Sequence, residues 1–219
     1  DTIGDAGLIR FYRSPSAYDS GPALVITHAT TPTGPTVTSV TQTSGGTEGS
    51  PAVMTVALSG ATSGSTNFAA TLAGVTATGS GTDFTSDLAS ATYSNGVTFS
   101  GGNMVVPDAV SGWTVTIATT SDTLDEANET ATLTVGGTAG TLTITDDDAQ
   151  PTVTISDATE VAGTVTFVAT LSAASGRSLS FDYATADGTK TAGVDYTAAS
   201  GTVTFAAGET TKDIVITAL

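Results

Sequence analysis

The chain has 219 residues, with 21 acidic side chains against 5 basic ones, a net charge of −16 and no cysteine. The missing cysteines exclude disulfides, thiolate metal sites and a cysteine nucleophile, and the scarcity of basic side chains, none between Arg13 and Arg177, argues against a phosphate-binding surface for nucleic acid. No apolar run reaches the roughly 18 residues of a membrane-spanning helix, while 25 glycines among abundant Thr, Ser, Ala and Val favour an all-β class of one or two domains.

In chain order the strand signals are TVTSVTQ, AVMTVALS, GVTFSGG, WTVTIAT, ETATLTV and GTLTITD, then PTVTIS, GTVTFVATLS, SLSFDYATA, GTVTFAAG and KDIVITAL. Each alternates Val, Leu, Ile or Phe with Thr or Ser and is bounded by Gly, Asn, Asp or Pro, the pattern of half-buried strands in packed β-sandwiches. No segment carries helical periodicity. Trp113 falls in an alternating strand and is expected in a core or an interface.

These strands repeat. PTVTSV at Pro35 pairs with PTVTIS at Pro151, and TEGSPAVMTVALS, holding Glu48, with TEVAGTVTFVATLS, holding Glu160. TDFTS around Asp83 pairs with VDYTA around Asp195, and GVTFSGG with TVTFAAG. Residues 35–150 therefore read as one complete sandwich, and residues 151–219 as a second that lacks partners for DTLDEANETATLTV and GTLTITDDD. Partners for those two stretches stand at the other end of the chain. DTIGDAGLIRFYR matches the first, and ALVITHATTPTGPTVT matches GTLTITDDDAQPTVT. Residues 1–34 are thus expected to be the last two strands of a neighbouring sandwich, a strand pair supplied to a different copy or repeat, because an open sheet edge and an uncovered apolar face require a partner.

The segments ATADGTKTAGVDYTAASGTVTFAAGET and DTLDEANETATLTV followed by GTLTITDDD resemble the Calx-β repeats of the sodium-calcium exchanger's regulatory region, integrin β4 and many bacterial surface proteins. The resemblance implies tandem seven-stranded antiparallel sandwiches that bind Ca2+ in acidic loops at one end. Carried onto matching positions, it supplies Glu48, Asp83, Asp122, Glu126, Glu129, Asp146, Asp147 and Asp148 in the first copy. Calcium suits such a set, since it takes six to eight oxygens in irregular geometry. Glu160 and Asp195 match in the second copy, but Gly4, Asp5 and Gly7 and then His28, Ala29 and Thr30 stand where the other carboxylates are expected, so a second site is weaker. A lone His at a strand end reads as a surface residue.

Asn128-Glu129-Thr130 spells a glycosylation sequon inside the proposed metal loop. One His and many hydroxyls give no base for a nucleophilic triad, which argues against an enzyme. The leading expectation is a structural subunit of an extracellular or cell-surface fibre, calcium-stabilised and assembled head to tail with copies of itself by strand donation. An internal segment of one long secreted tandem-repeat adhesin is the first alternative. A calcium-dependent adhesive or ligand-binding module acting on a host or abiotic surface is the second, with Tyr12, Tyr18, Tyr93 and Trp113 as its candidate aromatics.

Overall fold

The computed structural model describes residues 34–219. The expectations placed on residues 1–33 lie outside the described residues: the strand pair, Gly4, Asp5, Gly7, His28, Ala29, Thr30, Tyr12 and Tyr18. Among the described residues the chain is all-β, with antiparallel sheets, no α-helix and one 3-10 turn at Leu88–Ser90.

Two sheets built from the first set of repeats face one another. One joins β1 (Val37–Ser44), β2 (Ala52–Leu58), β7 (Gly112–Ile117) and β4 (Thr92–Tyr93) in the order β1-β2-β7-β4. The other joins β5 (Thr98–Ser100), β6 (Asn103–Val106), β3 (Thr66–Gly74), β8 (Glu129–Val135) and β9 (Thr138–Ile144) in the order β5-β6-β3-β8-β9. The short outer strands β4 and β5 carry this sandwich past the seven strands that the resemblance implies. Short edges of this kind also limit pairing with foreign strands.

Alternation decides which faces meet. In β2 Ala52, Met54, Val56 and Leu58 point inward, and pairing sets Met54 opposite Val115 and Val56 opposite Trp113 of β7. Trp113 is buried against Phe68 of β3, with ring centroids 5.9 Å apart. From the facing sheet β8 adds Ala131, Leu133 and Val135, and β9 adds Leu142 and Ile144. Gly136 (φ +55) and Gly137 (φ +85) turn β8 into β9, as a two-residue hairpin with both central residues left-handed requires. Gly140 lets β9 approach β1, since a Cβ there would lie 2.2 Å from the Val40 carbonyl oxygen.

The second set is less complete. Its sheet places β12 (Thr164–Leu171) between β15 (Thr211–Thr217) on one side and β10 (Val153–Ile155) with β11 (Glu160–Val161) on the other. Facing it, β13 (Leu179–Ala184) pairs with β14 (Ser200–Phe205) alone among the described residues, whereas β3 has β6 on one edge and β8 on the other. The buried core shrinks to Ala169, Leu171, Leu179, Phe205, Ile214 and Ile216, with Phe181 edge-on to Phe205 at 6.1 Å. Val165 and Phe167 of β12, aligned with the fully buried Ala52 and Met54 of β2, remain half-buried.

Candidate metal centre

Four loops meet at one end of the first sandwich: the β1–β2 turn, the β3–β4 connection, the β7–β8 loop and the segment after β9. Antiparallel pairing brings these strand ends together, and main-chain bonds tie the loops to one another. Thr145 N–H donates to the Gly46 carbonyl (2.7 Å) and Glu48 N–H to the Thr145 carbonyl (3.1 Å). Thr119 Oγ1 donates to the Thr47 carbonyl (3.0 Å), and Thr120 N–H donates to the Asp83 carbonyl (2.9 Å). Asp146 N–H donates to Asn128 Oδ1 at 3.2 Å. The Asp122 carboxylate accepts from Leu124 N–H (2.8 Å), which folds the β7–β8 loop back on itself.

On this frame Glu48, Asp146 and Asp148 each present a carboxylate oxygen, and all three lie within 4.8 Å of one another. Glu48 Oε2, Asp146 Oδ1 and Asp148 Oδ2 are buried without a hydrogen-bond partner. An unpaired buried oxygen of this kind carries a desolvation cost. Three carboxylate oxygens together, with no donor to satisfy them, make a candidate cation site. Calcium–oxygen distances of about 2.3–2.6 Å let two ligands of one ion stand up to about 4.6–5.2 Å apart, so the spacing fits Ca2+.

The surrounding acids raise the electrostatic cost of leaving the site without a cation. Burial, followed by repulsion from Asp122, Asp146 and Glu126, pushes the Glu48 carboxyl up to about 7. Glu129 rises to about 7 through burial, hydrogen bonding with Asp83 and repulsion from Asp83, Glu126 and Glu48. Glu126 is raised by burial and by Asp122, Asp83 and Asp146, and Asp148 by burial and by Asp147, Asp146 and Asp122. Seven of the eight carboxylates named from the sequence thus form one electrostatic group. Asp147 is exposed and touches it only through Asp148.

The sequence reading passed over Asp125, which is 2% exposed and serves another purpose. Its carboxylate accepts from Ser175 Oγ (2.7 Å) and from Arg177 Nε (3.2 Å) and Nη2, and its carbonyl accepts from Gly176 N–H (2.9 Å). Ser175 to Arg177 form the β12–β13 turn of the second set, so the metal loop of the first set is bolted to the second. An acidic residue within an acidic loop gives no local sign of this. The only available signal was Arg177, the first basic residue in the chain after Arg13.

Among the described residues Glu160 and Asp195 are not joined in a cluster of acids. Glu160 is exposed and accepts from Gly163 N–H (3.2 Å). Asp195 accepts from Thr191 N–H (2.9 Å) and Lys190 Nζ (3.1 Å), in that order the causes that hold its carboxyl below the usual range. An ammonium group therefore sits where a metal ligand was expected to face its ion.

Residues 143–219 match the Calx-beta domain family, a stretch that runs from within β9 through β15. No curated protein matches the sequence. Among solved structures, the calcium binding domain CBD12 of CALX1.1 is similar over 82% of this chain and 71% of its own, with 20% identity and a TM-score of 0.35. CBD12 from CALX1.2 is similar over 76% of this chain and 67% of its own, with 20% identity and a TM-score of 0.33.

Proposed function

We propose that this chain is a non-enzymatic structural unit of an extracellular or cell-surface fibre, built of serial β-sandwiches, stiffened by Ca2+ and joined head to tail with further copies by strand complementation. The observation that carries the reading is the convergence of Glu48, Asp146 and Asp148 on three buried, unpartnered oxygens. Glu48, Asp146 and Asp148 hold the ion, with Glu126 and Glu129 beside them. Bound calcium neutralises the mutual repulsion of the acids and ties together four loops that are otherwise linked by a few main-chain bonds.

The position of the site matters as much as its chemistry. The same β7–β8 loop that carries Asp122 and Glu126 also carries Asp125, the anchor of the Ser175–Arg177 turn. Ordering this loop with an ion therefore orders the junction to the next sandwich, which is what a stiff serial fibre needs. The adhesive alternative loses one of its aromatics, because Trp113 is buried in the core.

Calcium titration by calorimetry on the intact chain, paired with melting curves after chelation, tests this reading. Binding with a rise in melting temperature is expected. Absence of both would return the acidic triplet to a solvated turn.

A further inference from the structure

We infer that the groove left open in the second sandwich, between the β12 sheet and β13, is the docking site for residues 1–33 of a second copy of this chain, which enter as two antiparallel strands with Leu24 and Ile26 facing the core. The inference rests on the fibre reading above and gives it a seat and a register.

The first sandwich shows what is missing from the second. There β8 pairs with β3 and β9 pairs with β8, and together they deliver Ala131, Leu133, Val135, Leu142 and Ile144, none more than 2% exposed. In the second, β13 has no strand on its other edge among the described residues. Where the closing pair would lie there is a cavity of about 550 Å³, lined by Ile155, Val165, Phe167, Tyr183, Ile214 and Ile216. Around it large apolar side chains stand in water, with Ile155 at 52% and Leu219 at 67% exposure. A free sheet edge above an apolar trough suits strand addition, in which main-chain bonds supply affinity and alternate side chains fill the trough.

The occupant is identified by its match to β8 and β9. ALVITHATTPTGPTVT parallels GTLTITDDDAQPTVT, and setting Ile26 on Ile144 puts Leu24 on Leu142 and Val25 on the outward Thr143. Upstream, DTIGDAGLIRFYR parallels the start of DTLDEANETATLTV, the stretch that leads into β8.

Sedimentation velocity of the full 219-residue chain over a range of concentrations tests the inference, with Leu24→Asp/Ile26→Asp as the disrupting variant and Val25→Asp as its opposite-face control. Wild type and Val25→Asp should form oligomers that grow with concentration, and the double variant should lose them while Trp113 fluorescence shows the first sandwich still folded. A synthetic peptide of residues 1–33 should bind the double variant one to one, raise its melting temperature and shorten wild-type oligomers. A wild-type chain that is monomeric at every concentration, a double variant that still assembles, or a peptide that does not bind would each overturn it. Calcium titration of the double variant reads the metal site separately, so loss of docking and loss of the calcium reading are told apart.

Discussion

Arg177 reaches across from the second set of strands and donates through Nε (3.2 Å) and Nη2 to the two oxygens of Asp125, a carboxylate that is almost wholly buried in the metal loop of the first. The guanidinium holds the Asp125 carboxyl below the usual range, and Ser175 Oγ completes its shell. Paired forks of this kind are among the stronger charge-assisted contacts, and they depend on the planar geometry of arginine.

Arg177→Ala strands the Asp125 charge in a buried position. Removing one member of a fully buried pair is strongly destabilising; the Arg177 side chain is 45% exposed, so solvent screens part of the pair and the expected loss is smaller. Denaturant melts should show it as a lower midpoint for the second transition or for the whole chain. Arg177→Lys keeps the charge and loses the fork, so it should recover only part of the loss.

Glu48→Gln and the pair Asp146→Asn/Asp148→Asn separate two roles of the same acids. Each substitution removes repulsion, so the calcium-free protein should be as stable as wild type or more so. Each also removes an anionic ligand, and calcium affinity should fall by at least about tenfold, or about 1.4 kcal/mol. Calorimetry and calcium-free melting curves on the same preparations measure both effects. Weaker binding together with a less stable calcium-free protein would mean that these groups pair within the fold instead of waiting for an ion.

The pH dependence has a definite sign. Glu48 and Glu129 sit at about 7 in the folded chain against an ordinary 4.5. Between those values the folded chain holds more protons than the unfolded one, so the contribution of these groups to calcium-free stability is full below about 4.5 and is lost as pH rises to about 7. Asp125 acts in the opposite direction but only at or below the ordinary carboxylate range, outside this window. With calcium in excess the slope should reverse, because protons then compete with the ion for the same oxygens. Melting temperatures across pH 4.5 to 7, with and without calcium, check both halves.

Strands in which β-branched or large apolar residues alternate with Thr were legible: β2, β7, β8, β9, β12 and β15 all coincide with the runs read from the sequence. The strands that escaped notice were β3, TNFAATLAG, whose inward set is Phe68 and Ala70, β6, NMVV, which is only four residues long, and the two-residue β4 and β11. Alanine and asparagine carry little strand signal, and β3 and β6 are held by neighbours on both edges, while β4 and β11 are too short to show any periodicity. In the site, Glu48, Asp146 and Asp148 were readable through the resemblance to Calx-β repeats, onto whose acidic loops they map. Asp125 was not, because its partner lies 52 residues away and nothing local distinguishes it from the acids beside it.

Gly176 offers a sharper probe of how the junction and the metal loop are linked. It lies in the turn between β12 and β13, and a Cβ added there would stand 2.4 Å from Glu126 Oε1 and 2.8 Å from Glu126 Cγ. The obstacle is a flexible side chain, so Gly176→Ala can be accommodated by moving Glu126 with little cost to the fold. Glu126 is one of the acids grouped with Asp122, Asp83 and Asp146, so moving it should alter the calcium site from the far side of the junction. The expected result is a shift in calcium affinity of about threefold, or about 0.7 kcal/mol, with a calcium-free melting temperature close to wild type. An unchanged affinity would show that the turn and the metal loop touch without being coupled, and the ion would then stiffen the first sandwich alone.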